Sequence, residues 1–137
     1  MSQILLENKN LTIIFYENMN YLFLKWDGFI PSEDFKLLAS HILSAIDRTN
    51  AAAILSDNTN WKVISPNDHA WAANHWFPTA EKKGIRKLAT IMSSDYFNRA
   101  AERNIEGMAD VHCMQIKNFN RPEDSIRWLQ TAKSLSC

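Results

Sequence analysis

Between Gly28 and Ser32 the chain changes the period of its apolar residues. Before that point Gln3–Glu7, Leu11–Glu17 and Tyr21–Trp26 form three apolar runs, the latter two rich in β-branched and aromatic side chains. Asn8-Lys9-Asn10 and Asn18-Met19-Asn20 separate them, and such breaks read as the turns of an antiparallel meander. After it, Phe35, Leu38, Ala39, Ile42, Ala45 and Ile46 recur at helical spacing. Pro31-Ser32-Glu33-Asp34 opens that helix with a capping Ser and two acids for its positive end. Strands and helices then alternate. Ala51–Ser56 reads as a buried strand. Ser65 at N-cap, Pro66 at N1 and Asp68 at N3 open a helix running to about Trp76. Pro78 disfavours helical geometry at Phe77, so Thr79–Lys83 reads as a separate short helix that stops at Gly84. Lys87–Met92 is the next strand. Ser94 or Asp95 caps a helix carrying Phe97, Ala101 and Ile105 and closed by Gly107. Val111–Lys117 is the last strand, and Pro122 starts a final helix with Ile126 and Leu129 inward.

That order predicts one α/β domain over residues 1–137. Its sheet is mixed, with an antiparallel N-terminal meander followed by parallel β-α-β units. A chain of 137 residues is long enough to bury a sizeable core without disulfides or metal.

The scarce residues exclude whole classes of chemistry. Only Gly28, Gly84 and Gly107 are glycines, so a phosphate loop, a dinucleotide fingerprint and a nucleophile elbow cannot be built. Cys113 and Cys137 form no C-x-x-C pair, and both are expected as reduced thiols, one buried and one at a frayed end. No two of His41, His69, His75 and His112 have the i,i+4 spacing of a helical zinc pair. No catalytic residue, metal or cofactor is expected. Lys+Arg and Asp+Glu are 15 each, and a zero net charge argues against nucleic-acid binding. No apolar run approaches the ~20 residues that span a bilayer. Met1–Glu7 lacks the pattern of a signal peptide, so a cytoplasmic protein without membrane insertion is expected.

The helix after Ser65 is the most informative. At 100° per residue, Ala72, Ala73, Trp76 and Phe77 share one face, while Asp68, Trp71, Asn74 and His75 share the other. Trp71 and Trp76 are then about 140° apart and cannot both point into one core. Trp71, with Asp68 and His75, is expected at a partner surface or pocket rim, or else in a satellite core under a loop such as Asn58–Lys62 with Trp61. Trp61, Trp26, Phe29 and Trp76 join these as aromatic candidates for an interaction or ligand surface. Parallel sheets bind ligands at the carboxyl ends of their strands. There Asp57, Asn58 and Ser94 form a polar cluster. Glu102 and Glu106, with Arg99 and Arg103, read as an exposed ion-paired helix face.

Several segments carry a resemblance. Trp26-Asp27-Gly28-Phe29, Ser65-Pro66 leading to Trp71, Trp76-Phe77-Pro78-x-Ala80, Gly84-x-Arg86-Lys87-Leu88-Ala89 and the closing Phe119…Trp128-Leu129 span nearly the whole chain. The chain resembles a family of small bacterial proteins grouped with SpoIIAA-like STAS domains and with the CRAL-TRIO lipid-binding class. The resemblance implies a mixed sheet with helices mainly on one face. STAS regulators also carry a phosphorylatable Ser after an Ile-Asp pair. In the comparable Ile64-Ser65-Pro66, Pro66 takes the acceptor position, and Ser65 serves only if the register moves by one. Ser65 is otherwise read as a helix N-cap. Two functions are expected on these grounds. The first is a non-catalytic regulatory or protein-interaction module, plausibly a homodimer. The second is a carrier of a small apolar, lipid-like ligand.

Overall fold

The computed structural model describes residues 1–62, 65–92, 100, 103–104 and 106–131. The strands are β1 (Ser2–Glu7), β2 (Leu11–Tyr16), β3 (Tyr21–Gly28), β4 (Ala53–Trp61), β5 (Lys87–Ile91) and β6 (Gln115–Phe119). They form one sheet in chain order, β1-β2-β3-β4-β5-β6. The first three are antiparallel, and β3 to β6 run parallel. The asparagines make the turns. The Asn8 side chain accepts from the Asn10 N–H at 2.8 Å, while Asn20 adopts a left-handed φ of 56° that other side chains avoid.

Helix α1 (Ser32–Thr49) ends at Asn50, which is also left-handed and whose N–H bonds the Ile46 carbonyl. Its start differs from expectation. Pro31, extended at ψ 151°, takes the N-cap position, and Ser32 becomes the first helical residue. The Ser32 hydroxyl then donates to Asp68 Oδ2 at 2.9 Å instead of capping its own helix.

Ser65 caps α2 (Pro66–Trp71) as expected, its Oγ accepting the Asp68 N–H at 3.2 Å. Ser65→Ala should cost about 1 kcal/mol of stability. A urea titration checks this, and an unchanged midpoint would show that the cap is idle.

The largest departure lies just beyond. The chain does not break at Pro78. α2 passes through a π-helical turn, Ala72–Trp76, into α3 (Phe77–Lys82). Proline has no N–H and its ring crowds the preceding turn. The widened turn makes room, with the Phe77 N–H reaching back five residues to the Ala72 carbonyl. The next such bond would run from residue 78 to the Ala73 carbonyl. Pro78 cannot donate it, and the Asp110 N–H does so at 3.2 Å.

Two clusters hold the sheet. On one face α1 and the α2–α3 rod pack over Ile13, Leu22, Leu24, Ile54 and Leu88. On the other, Ile126, Trp128 and Leu129 of α4 (Pro122–Leu129) pack over Leu55, Ala89 and Ile91. Lys87 is buried on that second face. Its ammonium donates to the Trp128 and Thr131 carbonyls at 3.0 and 3.1 Å, a cation at the negative end of α4.

β6 starts later than expected, at Gln115. The preceding N–H groups of His112, Cys113 and Met114 all point at Glu81 Oε2, at 2.8, 2.5 and 2.8 Å, so they are not free for strand pairing. Of the helix expected from Ser94 to Gly107, most lies outside the described residues; 103–104 and 106–108 are helical. Cys113 is disulfide-bonded, which corrects the expectation of a reduced thiol, and Cys137 lies outside the described residues. Among the described residues no helix is long and apolar enough to cross a membrane.

Candidate functional site

A cavity of about 80 Å³ lies between the sheet and the helices that cover its first face. Aromatic side chains form much of its wall. Trp26 and Trp61 stack with ring centroids 4.3 Å apart, and Phe35 lies 5.9 and 5.7 Å from them. Trp76 and Phe77, 5.2 Å apart and edge to face, line it from the helical side. Trp76 is fixed there by its indole N–H, which donates to the Ala39 carbonyl of α1 at 2.8 Å.

Two local irregularities assemble this wall. The first is in β4. Side chains alternate along a strand, so Ile54, Ser56 and Asn58 share a face that Trp61 should not join. Between the pairs Lys25–Asp57 and Asp27–Asn60, however, β4 advances three residues while β3 advances two. This bulge is held by Asp57 Oδ1, which accepts from the Thr59 N–H at 3.0 Å and its hydroxyl at 2.5 Å. One extra residue reverses the alternation and swings Trp61 onto Trp26.

The second irregularity is the π turn. With bonds spanning five residues, side chains five apart return to the same side. Trp71 and Trp76 therefore both reach the one core, against the expectation from a regular helix. Trp76 is buried. Trp71 is half-buried, edge-on to Phe35 at 5.9 Å and beneath the Lys36 ammonium at 5.9 Å.

The proposed surface residues separate accordingly. Trp26, Trp61 and Trp76 are interior and line the cavity. Asp68 is buried under Ser32 rather than exposed, because α2 packs that side against the start of α1. Its Oδ1 has no hydrogen-bond partner among the described residues. His75 is exposed, and Phe29 is 66% exposed at the end of β3. The strand-end cluster is split by the same alternation. Asn58 faces the cavity side, whereas Asp57 faces away and pairs with Lys25 at 3.6 Å. Ser94 lies outside the described residues. Glu81-Lys82-Lys83-Gly84-Ile85-Arg86-Lys87 is locally basic, and two of its cations besides Lys87 are used internally. Lys83 bonds Asp47 at 2.8 Å, and Arg86 bonds the Glu81 and Ile85 carbonyls at 2.9 and 3.0 Å.

The polar end of the cavity is Ser56 and Asn58 from β4, Thr90 from β5, and Glu106. Ser56 Oγ donates to Asn58 Oδ1 at 2.7 Å. Glu106 accepts from Asn118 Nδ2 of β6 at 2.7 Å and also from the Thr90 hydroxyl. Burial pushes its carboxyl above the ordinary glutamate range, against the opposing pull of those two donors and of Arg103. Glu106 is therefore not part of an exposed ion-paired face. On a regular wheel it lies only 100° from Ile105 of the inward stripe, a flank and not the far side. That position was its one sequence signal. Among the described residues no group of three or more His, Cys, Asp or Glu side chains comes together as a metal site.

No family model and no curated protein matches this chain. Among solved structures it is similar to an uncharacterized protein of the DUF3478 family with a SpoIIAA-like fold, from Shewanella loihica PV-4. The TM-score is 0.52 at 18% identity, over 94% of this chain and 92% of the other. At that identity the likeness speaks to fold alone, and the fold is SpoIIAA-like. It lends nothing to the CRAL-TRIO grouping.

Proposed function

We propose that this protein binds a small, largely apolar molecule in the cavity beneath α1 and the π turn, without converting it. The observation that carries this reading is the construction of the cavity. A bulge and a π turn, both irregularities that recur at functional sites, bring Trp61 and Trp76 to its wall. A few polar groups gather at one end of an otherwise aromatic and aliphatic lining, the usual composition of a ligand site. A homodimer built on the same aromatic residues is the weaker reading. Trp26, Trp61 and Trp76 are already covered within one copy, which leaves Phe29, His75 and half of Trp71 outside. An exposed Phe by itself is ordinary.

Native mass spectrometry of protein purified gently from cell extract tests this. The expected result is an adduct of low mass on the monomer, lost on denaturation. A dimer of bare chains would favour the interaction module instead.

A further inference from the structure

We infer that the molecule taken up by this cavity is a small organic amine, its ammonium group seated at Glu106 and its hydrocarbon body against Trp26, Trp61 and Phe77. This rests on the cavity being a ligand site, as proposed above, and names the class of ligand.

Charge decides between the candidates. Among the described residues the cavity is lined by one acidic side chain, Glu106, and by no Lys, Arg or His. A fatty acid or any other anion would bring a second negative charge into an apolar enclosure without a counter-ion. An ammonium group is the complement. It offers three donors and no acceptor, and the groups around Glu106 are rich in acceptors. The Asn118 amide that donates to Glu106 leaves its own Oδ1 buried without a hydrogen-bond partner among the described residues. Asn58 Oδ1 and Thr90 Oγ1 add two more oxygens to the cavity side. The aromatic wall favours a cation as well, because ring faces attract positive charge.

Among the described residues Arg103 is the one cation acting on Glu106, and it is exposed. Burial raises the Glu106 carboxyl above the ordinary glutamate range. A bound ammonium would oppose that shift and favour the carboxylate, a charge-assisted pairing of the stronger kind. Size sets the body. About 80 Å³ is roughly half of the ~150 Å³ engineered cavity that holds benzene, so a chain of one or two carbons fits and a long acyl chain does not.

Three ligands of two carbons test this: ethylammonium, ethanol and acetate. Each is titrated into the full chain at neutral pH and followed by NMR at the indole N–H resonances. The ammonium should bind roughly tenfold or more tighter than the alcohol, and acetate should not bind. Glu106→Gln should reduce the ammonium to the level of the alcohol and leave the alcohol unchanged. If that variant fails to fold, wild-type protein at lower pH serves, because protonating Glu106 should weaken the ammonium and not the alcohol. Alcohol binding as tightly as ammonium would overturn the amine assignment and leave the binding function standing. Tightest binding by acetate would do the same. No binding by any of the three would overturn both.

Discussion

Trp76→Ala should lower the stability of this protein by about 3–5 kcal/mol, the usual cost of deleting a large buried aromatic. Total stability for a domain of this size is about 5–15 kcal/mol, so the variant sits near the edge of folding. The effect comes from three contacts. The indole is buried, it meets Phe77 edge to face, and its N–H ties the π turn to the middle of α1 through the Ala39 carbonyl. Trp76→Phe keeps most of the ring and removes the hydrogen bond, so it should lose much less, about 1 kcal/mol for the bond plus the missing volume. In urea, with a slope of about 2 kcal/mol per molar, the midpoint of Trp76→Ala should fall by roughly 2 M. An equal fall for both variants would place the stabilisation in the hydrogen bond and not in packing. Trp76 also forms part of the cavity wall. Deleting it enlarges an apolar enclosure, and such enclosures take up aromatic molecules. Benzene should therefore restore part of the lost stability to Trp76→Ala and leave wild type unaffected.

The elements legible in the sequence are those whose causes are local. The meander follows from its Asn breaks, α1 from its apolar stripe and α2 from Ser65 and Pro66, and each is present. The misreadings come from longer-range causes. Ser32 looks like a cap until Asp68, far along the chain, takes its hydroxyl. Pro78 looks like a break because only the three-dimensional setting supplies the Asp110 N–H that satisfies the Ala73 carbonyl. The wheel then sends Trp71 and Trp76 to opposite sides, since it assumes a regular helix. For the site, the aromatic candidates Trp26, Trp61 and Trp76 were legible as large side chains needing cover, and they do converge. What was not legible is which way Trp61 faces, because that depends on a bulge set by pairing with β3. Glu106 was missed for the same kind of reason. Its partners Thr90 and Asn118 lie on two different strands, and nothing near Glu106 in the sequence points to them.

Glu81 gives the second large effect, and its position already hints at one. It sits in the last turn of α3, where the negative end of the helix disfavours a carboxylate. Something must offset that, and the three N–H groups of residues 112–114 do so. Burial pushes the Glu81 carboxyl up, but the bonds from Cys113, Met114 and His112 outweigh it and hold the group below its ordinary value of 4.5. A carboxylate whose folded pKa is depressed stabilises fully above the unfolded value. That stabilisation is lost as the pH falls through the folded pKa, here below 4.5. Glu81→Gln keeps an acceptor but removes the charge. At pH 7 it should cost about 2 kcal/mol, the value of charge-assisted bonds discounted for partial exposure. Below the folded pKa wild type carries a neutral acid at the same place, and the two stabilities should converge. A gap that stayed constant down to low pH would mean that shape, not charge, is what residue 81 supplies. The loss should also be local before it is global. Residues 112–114 lead directly into β6, so amide exchange in Gln115–Phe119 should quicken first. β6 carries Asn118, which holds Glu106 at the cavity. Ethylammonium binding should therefore weaken in Glu81→Gln under conditions where the rest of the sheet is still protected.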